Sequence, residues 1–427
     1  MSPPRRVVIA GGGVAGLCIA YYLRRRDVDV VVLESREIAS RAAASYGNGG
    51  WITPAQAGPL PEPGLTIYGL RALLDADSAL YLRPSYLPRL VPWLARFWTY
   101  CNARDHERGW VALAALGRRV FDLVDGMVAD GIAFELHKNG MICATAEPAE
   151  ARRVLATMEP MRAAGYRLPT ELLQGEELHA LEPALSDRVR AGFYVEEQWH
   201  VRASSFTEGL ARRVRELGAE VREHTGVEGF TTVAGRVRAA RTDAGEEVDG
   251  DAFVLAAGAW TTPLARSLGL RLPMQPGKGY TFLLQPTVMP RHGILFADIH
   301  AGASPLTDRL RISGTMEFSG YDLALDRRRI DNVFRLASEY LRLEEPQYEN
   351  AWAGLRPMVV DGLPILDRVP RFANAYLATG YSMLGMTLSQ PAGETMAELI
   401  ATGERPAVLE PFRVDRFPRT VLRRPGG

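Results

Sequence analysis

Residues 7–16 read Val7-Val8-Ile9-Ala10-Gly11-Gly12-Gly13-Val14-Ala15-Gly16. The apolar run Val7 to Ala10 suits a strand covered on both faces. Val14 to Arg26 reads as a helix, with Arg24-Arg25-Arg26 where cations favour the C-terminal end of the dipole. Val28 to Leu33 is a second β-branched run and ends at Glu34. Gly11-x-Gly13-x-x-Gly16 therefore stands between a strand and a helix, with an acid closing the next strand. Gly11 permits the tight turn, Gly13 lets backbone approach a pyrophosphate, and Gly16 lets the helix pack on the sheet. Val14 and Ala15 open the helix towards the phosphates. Glu34, followed by Ser35 and Arg36, is placed to accept from ribose hydroxyls. A glycine turn without a ligand is the plain alternative, and the full strand, helix, strand and acid argue against it. The motif predicts a dinucleotide site but does not separate NAD from FAD.

The chain has 427 residues. At about 150 residues per domain this predicts two or three domains. Hydrophobic residues make up 47% and charged residues 23%, which excludes wholesale disorder. Lys+Arg and Asp+Glu are both 50, so no basic excess points to nucleic acid or anionic lipid. Only Lys138 and Lys278 are lysines; the other 48 basic residues are Arg. Cys18, Cys101 and Cys143 are widely spaced. They form neither a metal-ligand pattern nor a disulfide framework, so no metal and a reducing compartment are expected. Arg5-Arg6 before an apolar run mimics a signal peptide, but the glycines fit a buried strand and helix better. No apolar run reaches the roughly 18 residues of a membrane span. A cytoplasmic location is expected.

Residues 36–66 are rich in Gly, Ala, Ser and Pro and read as loop. A mainly helical stretch runs from about Leu65 to Gly131. Leu87, Leu90, Val91 and Leu94 keep helical spacing there, with Trp93, Phe97, Trp98 and Tyr100 around them. Core packing or a subunit contact is the ordinary role of such a face. Peripheral docking on the inner membrane face and a homo-oligomer stay open. Ile132 to Thr145 reads as a hairpin turning at Asn139-Gly140, and Ala149 to Ala164 as a helix. Ser205-x-x-Glu208 is a capping-box pattern and Gly218 a C-cap, which predicts a helix between them. Residues 221–256 read as a three-strand meander with turns near Gly235 and Gly245, ending in Phe253-Val254-Leu255-Ala256. Residues 274–320 read as strands of a mixed sheet, and Arg327 to Leu343 as a helix. Ala375 to Ala378 reads as a strand, then a Gly-rich turn, then a helix to about Ile400.

This order predicts an α/β fold. A Rossmann-type domain is expected from 1–64, 186–272 and 350–427. An inserted α+β domain with a mixed, largely antiparallel sheet is expected from 65–185 and 273–349.

Several blocks resemble a known family. Ala44-Ser45-Tyr46-Gly47-Asn48-Gly49-Gly50 is similar to a loop that contacts the flavin ring and ribityl chain. Val254-Leu255-Ala256-Ala257-Gly258-Ala259-Trp260 is similar to a second dinucleotide-domain motif. Gly354-Leu355-Arg356-Pro357, then Asp361-Gly362-Leu363-Pro364, resembles a C-terminal signature. Thr379-Gly380-Tyr381, then Gly385-Met386-Thr387, resembles the turn that cradles the isoalloxazine. Together they resemble the FAD-dependent amino-acid oxidoreductases that include bacterial D-amino acid dehydrogenase, glycine oxidase and sarcosine oxidase. The resemblance spans nearly the whole chain and is closest on the D-amino acid dehydrogenase side, where Lys278-Gly279-Tyr280 and Arg311 to Gly314 also find counterparts. It implies a glutathione-reductase-like FAD domain. It also implies FAD contacts from Ala44, Ser45, Asn48, Gly49, Gly50, Val227, Ala257, Gly258, Gly380, Gly385, Met386 and Thr387. Arg41 to Gly50 holds no His or Cys, and Cys18 lies too early to reach the ring, so noncovalent FAD is expected.

The resemblance also implies a substrate site. Arg356 would pair with the substrate carboxylate, because a planar guanidinium can grip it with two parallel hydrogen bonds. A structural Arg is the plain alternative. Tyr280 would help bind the carboxylate, against the reading of a half-buried sheet Tyr. Lys278 would tune the flavin or bind a water, against the reading of a loop Lys. Tyr381 and Met386 depart from the closest pattern, which has His and Trp there, and both should lie near the ring. His200 and His300 are weaker candidates.

The reading is an FAD-dependent oxidoreductase of an amino acid or amine, a D-amino acid first. Hydride would pass from the α-carbon to flavin N5, and the imino acid would hydrolyse to a 2-oxo acid and ammonia. A quinone, a dye or O2 would take the electrons. Glycine, sarcosine or a proline-type secondary amine is the alternative substrate. A flavin-dependent hydroxylase, an NAD(P)H-linked reductase and a non-catalytic FAD-binding subunit rank lower, since no second nucleotide fingerprint is present.

Overall fold

The structure, a computed structural model, describes residues 3–65, 69, 78–343 and 347–417. The first βαβ unit forms as its residues dictate. Arg6–Ala10 and Asp29–Leu33 are adjacent parallel strands, with Val8 beside Val31. The helix Val14–Arg24 lies between them in sequence. Both strands are apolar on both sides. Val7 and Ile9 enter one core cluster, Val8 and Ala10 the other. Each fully buried Val or Ile side chain contributes about 1.5–3 kcal/mol.

Six strands make this sheet, in the order Glu220–Arg222, Asp29–Leu33, Arg6–Ala10, Ala252–Leu255, Ala375–Thr379, Ile365–Arg368. The first five are parallel, and the last is antiparallel. Helices Val14–Arg24, Ala203–Glu216 and Gly385–Thr402 share one cluster with Val7, Ile9 and Val254. The antiparallel strands Val227–Val233, Arg236–Thr242 and Glu247–Asp249 send Phe230, Val237 and Val248 into the other. Ala234 and Gly235 both have positive φ, +48° and +75°, the two-residue turn that matches hairpin twist.

A larger sheet runs in the order Tyr348–Val359, Met274–Leu284, Leu310–Phe318, Ala301–Pro305, Gly293–Phe296, Met141–Thr145, Ala191–Val195, Leu173–Gln174. Leu80–Leu82 also pairs, in parallel, with Leu310–Phe318. Gly293–Phe296 and Met141–Thr145 are parallel, and the other pairs along that order are antiparallel. Helix Arg327–Tyr340 is capped by Asp326, and lays Ile330, Val333 and Ala337 on Tyr280, Phe282 and Ile312. Ala191–Val195 and Tyr348–Val359 thus join the large sheet, although the division expected from sequence puts most of their residues with the dinucleotide half.

Four local expectations are corrected. The turn at Asn139-Gly140 is real, with Gly140 at φ +73°. Its two arms do not pair with each other. Leu136–His137 pairs with Trp199–Val201, and Met141–Thr145 with Ala191–Val195. The capping box fails because the helix starts at Ala203. Ser205 Oγ instead donates to Arg202 O and accepts from Glu135 N. The helix expected over Ala149 to Ala164 is two, Pro148–Thr157 and Glu159–Ala163, with Pro160 in the first turn of the second. The loop expected over 36–66 contains a helical turn, Ala44–Gly47, and a short strand, Trp51–Ile52.

Of the helical stretch expected from Leu65, positions 66–68 and 70–77 lie outside the described residues. Beyond them come helices Leu87–Tyr100, Ala103–Gly117 and Val120–Ala129. The aromatic run packs inward: Leu90, Trp93 and Phe97 are buried, and Trp93 stacks on Phe97. Val91 and Trp98 stay exposed. No helix among the described residues is long and apolar enough to cross a membrane.

Candidate active site

The glycine turn is close-packed on one side and open on the other. Gly11 has φ +116°, and a Cβ there would stand 2.6 Å from Ala256 O. A Cβ on Gly16 would stand 2.0 Å from Gly11 O. Only glycine allows these approaches. Gly13 is different. It precedes the helix in extended conformation, and the nearest atom to its Cβ position is Ser45 Oγ at 3.6 Å. The helix starting at Val14 and Ala15 has no side-chain cap and no acid in its first turn. Its amides therefore present an unneutralised positive end. Glu34 Oε2 accepts from Gly12 N at 2.7 Å, while Oε1 accepts from Ser35 Oγ and Arg36 N. Thr225 N donates to Glu34 O at 2.7 Å, which brings Val227 to this end of the sheet.

The loop of residues 44–50 crosses to the large sheet. Asn48 Nδ2 donates to Ala44 O, and Asn48 Oδ1 accepts from Gly50 N. Thr281 Oγ1 donates to Gly47 O, Arg311 Nη1 to Asn48 O, and Ser304 Oγ to Gly49 O. Ser45 is buried, and its carbonyl accepts from Thr207. Trp352 lies against Gly47 and Gly354 and donates to Arg41 O at 2.6 Å. Ala257 and Gly258 follow the strand Ala252–Leu255, and Gly258 O accepts from Thr379 Oγ1 at 2.9 Å.

The turn after Thr379 is equally specific. Gly380 has φ +80°, with Val359 Cγ2 2.5 Å from its Cβ position. Ser382 is left-handed at φ +52°, and its N–H donates to Pro357 O at 3.2 Å. That bond ties the turn to the strand of Arg356. Helix Gly385–Thr402 then begins without a side-chain cap or an acid in its first turn. The space around Gly385 is open, with Tyr381 Cβ the nearest atom at 4.0 Å from a Cβ placed there. Met386 and Thr387 are buried, and Thr387 Oγ1 donates to Trp51 O. Tyr381 is buried in one core cluster with Cys18 and Met386, and its hydroxyl has no partner among the described residues. Burial pushes that phenol well up, with Cys18 adding to the shift.

Arg356 lies where the Gly-x-Arg-Pro resemblance predicts a carboxylate site. Its Nη1 donates to Thr315 O at 2.7 Å. Desolvation lowers the guanidinium from its usual value to about 10. Among the described residues no carboxylate pairs with it. Its guanidinium rests on Gly279, whose Cβ position is 2.2 Å from Nη2. Gly279 and Gly354 are directly opposite each other on neighbouring strands; bare Gly279 seats the guanidinium, and bare Gly354 seats the Trp352 indole.

Tyr280 and Lys278 are not brought to this place. Strand side chains alternate between faces. Gly279 and Thr281 face Arg356 and the 44–50 loop; Lys278 and Tyr280 point the other way. Tyr280 sits under the Arg327–Tyr340 helix, fully buried, and its hydroxyl donates to Glu317 Oε2 at 2.7 Å. Lys278 Nζ pairs with Glu317 Oε1 at 2.9 Å and donates to Ala324 O at 3.0 Å. Neither is a loop Lys nor a half-buried Tyr, and neither meets Arg356. Glu317 had no sequence signal. His200 is buried and donates to Pro305 O, and His300 has Glu62, Glu150 and Arg153 as charged neighbours.

These residues fit FAD. An uncapped helix end and a bare Gly13 suit a pyrophosphate, and Glu34 suits a ribose. A second uncapped helix end, beside Gly385, suits the electron-rich edge of a flat ring. The comparisons agree. The profile of the FAD dependent oxidoreductase family matches residues 6–399. A D-amino acid dehydrogenase of Xanthobacter autotrophicus is 30% identical over 403 residues, covering 92% of this chain and 95% of that one. One of Methylobacterium sp. is 31% identical over 434 residues, covering 97% and 100%. The crystal structure of glycine oxidase from Geobacillus kaustophilus superimposes with a TM-score of 0.74 at 22% identity, covering 97% of this chain and 99% of that one. With a family match running from the first strand to the helix after the ring turn, the chain belongs to the FAD dependent oxidoreductase family.

Proposed function

We propose that this FAD-dependent enzyme oxidises the α-amine of an amino acid, a D-amino acid first, to an imino acid that hydrolyses to a 2-oxo acid and ammonia. The observation that carries the reading is Arg356, a desolvated guanidinium with no carboxylate partner among the described residues. A desolvated cation without a counter-ion favours an anionic ligand. The 30–31% identity to D-amino acid dehydrogenases supports the D-amino acid as that ligand.

FAD, when bound, supplies the acceptor for two electrons and the α-hydrogen. The chain supplies position. Nη1 of Arg356 is held by Thr315 O, so the planar fork keeps one orientation and offers its remaining N–H groups to a carboxylate. Bare backbone at Gly279 leaves room for the Arg356 guanidinium itself, and at Gly354 for the Trp352 indole. The Ser382 to Pro357 bond fixes the ring turn relative to Arg356. Such positioning brings the α-carbon to a single geometry. FAD is held without a covalent bond in this reading, because 41–50 offers neither His nor Cys.

The test is anaerobic bleaching of the flavin by paired D- and L-amino acids, glycine, sarcosine and proline. Bleaching by D-acids is the expected result. Bleaching by secondary amines alone would move the substrate, and bleaching by none would overturn the reading. Admitting air, or a quinone or dye, then identifies the acceptor.

A further inference from the structure

Leu310–Phe318 carries one residue more than its partner strand between two fixed points. Lys278 pairs with Glu317 and Tyr280 with Gly314, so three steps oppose two. This is a β-bulge, which bends a strand and re-aims its groups. Within it Thr315 has φ +63°. A β-branched residue there is strained and persists only when its surroundings hold it. The strained residue is the one whose carbonyl accepts from Arg356.

Behind the bulge one carboxylate spans the same interval. Glu317 Oε1 meets Lys278 Nζ at 2.9 Å, and Oε2 accepts from Tyr280 at 2.7 Å. Lys278 and Tyr280 flank Gly279, the seat of the guanidinium. The two oxygens of Glu317 thus hold the side chains of the residues on either side of that seat, from the opposite face. Lys278 Nζ, one of only two lysine ammonium groups in the chain, also holds Ala324 O and lies 3.9 Å from Asp322. The Lys278 and Glu317 side chains are only 2% and 3% exposed. A buried ion pair adds little stability over well-packed apolar groups of the same volume. What it adds here is geometry.

We infer that Lys278, Glu317 and Tyr280 form a buried clamp that positions Arg356 through the Thr315 bulge and the Gly279 backbone without touching substrate. This rests on the reading of Arg356 as the carboxylate anchor. The three are positioning residues. Without the clamp the bulge relaxes, Thr315 O turns, and the guanidinium loses its single orientation.

The test uses purified holoenzyme and benzoate as a non-reactive carboxylate, with binding read from the flavin absorbance. Three variants act on the clamp: Tyr280→Phe, Glu317→Gln, and Lys278→Met with Glu317→Leu together. The double variant replaces the ion pair by apolar groups and guards against misfolding. Phe282→Leu is the control. It loosens packing on the same face, where Phe282 meets Phe334 and Tyr348. The clamp predicts that the folded clamp variants bind benzoate about tenfold more weakly, with Tm little changed in the double variant, and that Phe282→Leu lowers Tm and leaves the affinity alone. Unchanged benzoate affinity in the double variant, or an equal loss in Phe282→Leu, overturns the clamp. If the wild type binds no benzoate, or Arg356→Ala binds it as well, the carboxylate reading itself falls and the clamp with it.

Discussion

The guanidinium of Arg356 rests on the bare Cα of Gly279, which has space for no side chain: a Cβ there would stand 2.2 Å from Nη2 and 2.3 Å from Cζ. Gly279→Ala therefore has to displace the guanidinium. A displacement of about 1 Å can cost on the order of a hundredfold in rate. The expected result is a KM for amino acid raised at least about tenfold, with FAD still bound. Gly277→Ala is the comparison. Its Cβ would meet Met316 Sδ at 2.6 Å and Met358 Cγ at 2.7 Å, two flexible side chains that can yield. Equal effects from the two substitutions would mean that the seat of Arg356 has no special part.

Arg356 can be tested through its fork. A hydrogen bond to a charged group is worth about 1.5–3 kcal/mol, so Arg356→Ala should raise KM by about a hundredfold. Arg356→Lys keeps the charge and loses the paired geometry, so it should fall between. The concentration dependence of flavin bleaching measures both. A Lys variant equal to the wild type would remove the two-bond grip.

The two ends of the glycine motif should separate folding from cofactor binding. A Cβ on Gly16 meets backbone at 2.0 Å, so Gly16→Ala should destabilise the fold by about 1–3 kcal/mol. A Cβ on Gly13 meets nothing closer than 3.6 Å. Gly13→Ala should fold normally and yet hold FAD less tightly, since the new methyl stands where a pyrophosphate would approach. Apoprotein melting and FAD titration give the two readouts. Normal FAD affinity in Gly13→Ala would place the pyrophosphate elsewhere.

What was legible in the sequence was local. Gly11, Gly13, Gly16 and Glu34 announce a turn whose geometry depends on few other residues. Arg356 stands out in the sequence through its Gly-x-Arg-Pro resemblance alone. Tyr280 and Lys278 face away from Arg356 because their faces depend on the pairing of Met274–Leu284 with Tyr348–Val359, more than 60 positions away. No local pattern carries that register. Glu317 was missed for the same reason: its role needs the bulge at Thr315, and a single extra residue has no signature in composition. Asn139-Gly140 does mark a turn, but its arms leave for different sheets, which turn chemistry does not specify.

FAD should leave the protein on denaturation. Cys18 packs against Gly393, whose Cβ position is 2.6 Å from Cys18 Cβ, so its thiol is spent between two helices. Burial also pushes that thiol well up, away from the nucleophilic thiolate. Acid precipitation should leave the yellow colour in the supernatant. Colour retained in the pellet would establish a covalent bond and another attachment residue.

His200 should make stability depend on pH. Its ring is fully buried, and Nε2 donates to Pro305 O at 2.6 Å. Nδ1 is enclosed without a partner among the described residues, so a second proton has no acceptor there. Burial lowers its pKa from 6.5 to about 4; the Pro305 bond opposes the shift, and the His137 ring, stacked at 4.7 Å, adds to it. Between those two values the unfolded chain holds a proton that the folded chain refuses. Stability is therefore complete above about pH 6.5 and falls as pH drops towards 4, by up to about 3 kcal/mol. His200→Gln keeps an N–H for Pro305 and cannot titrate in this range. Holoenzyme melting between pH 7 and pH 5 should show a smaller loss of Tm for the variant than for the wild type. Parallel curves would mean that His200 does not set the acid limit of the fold.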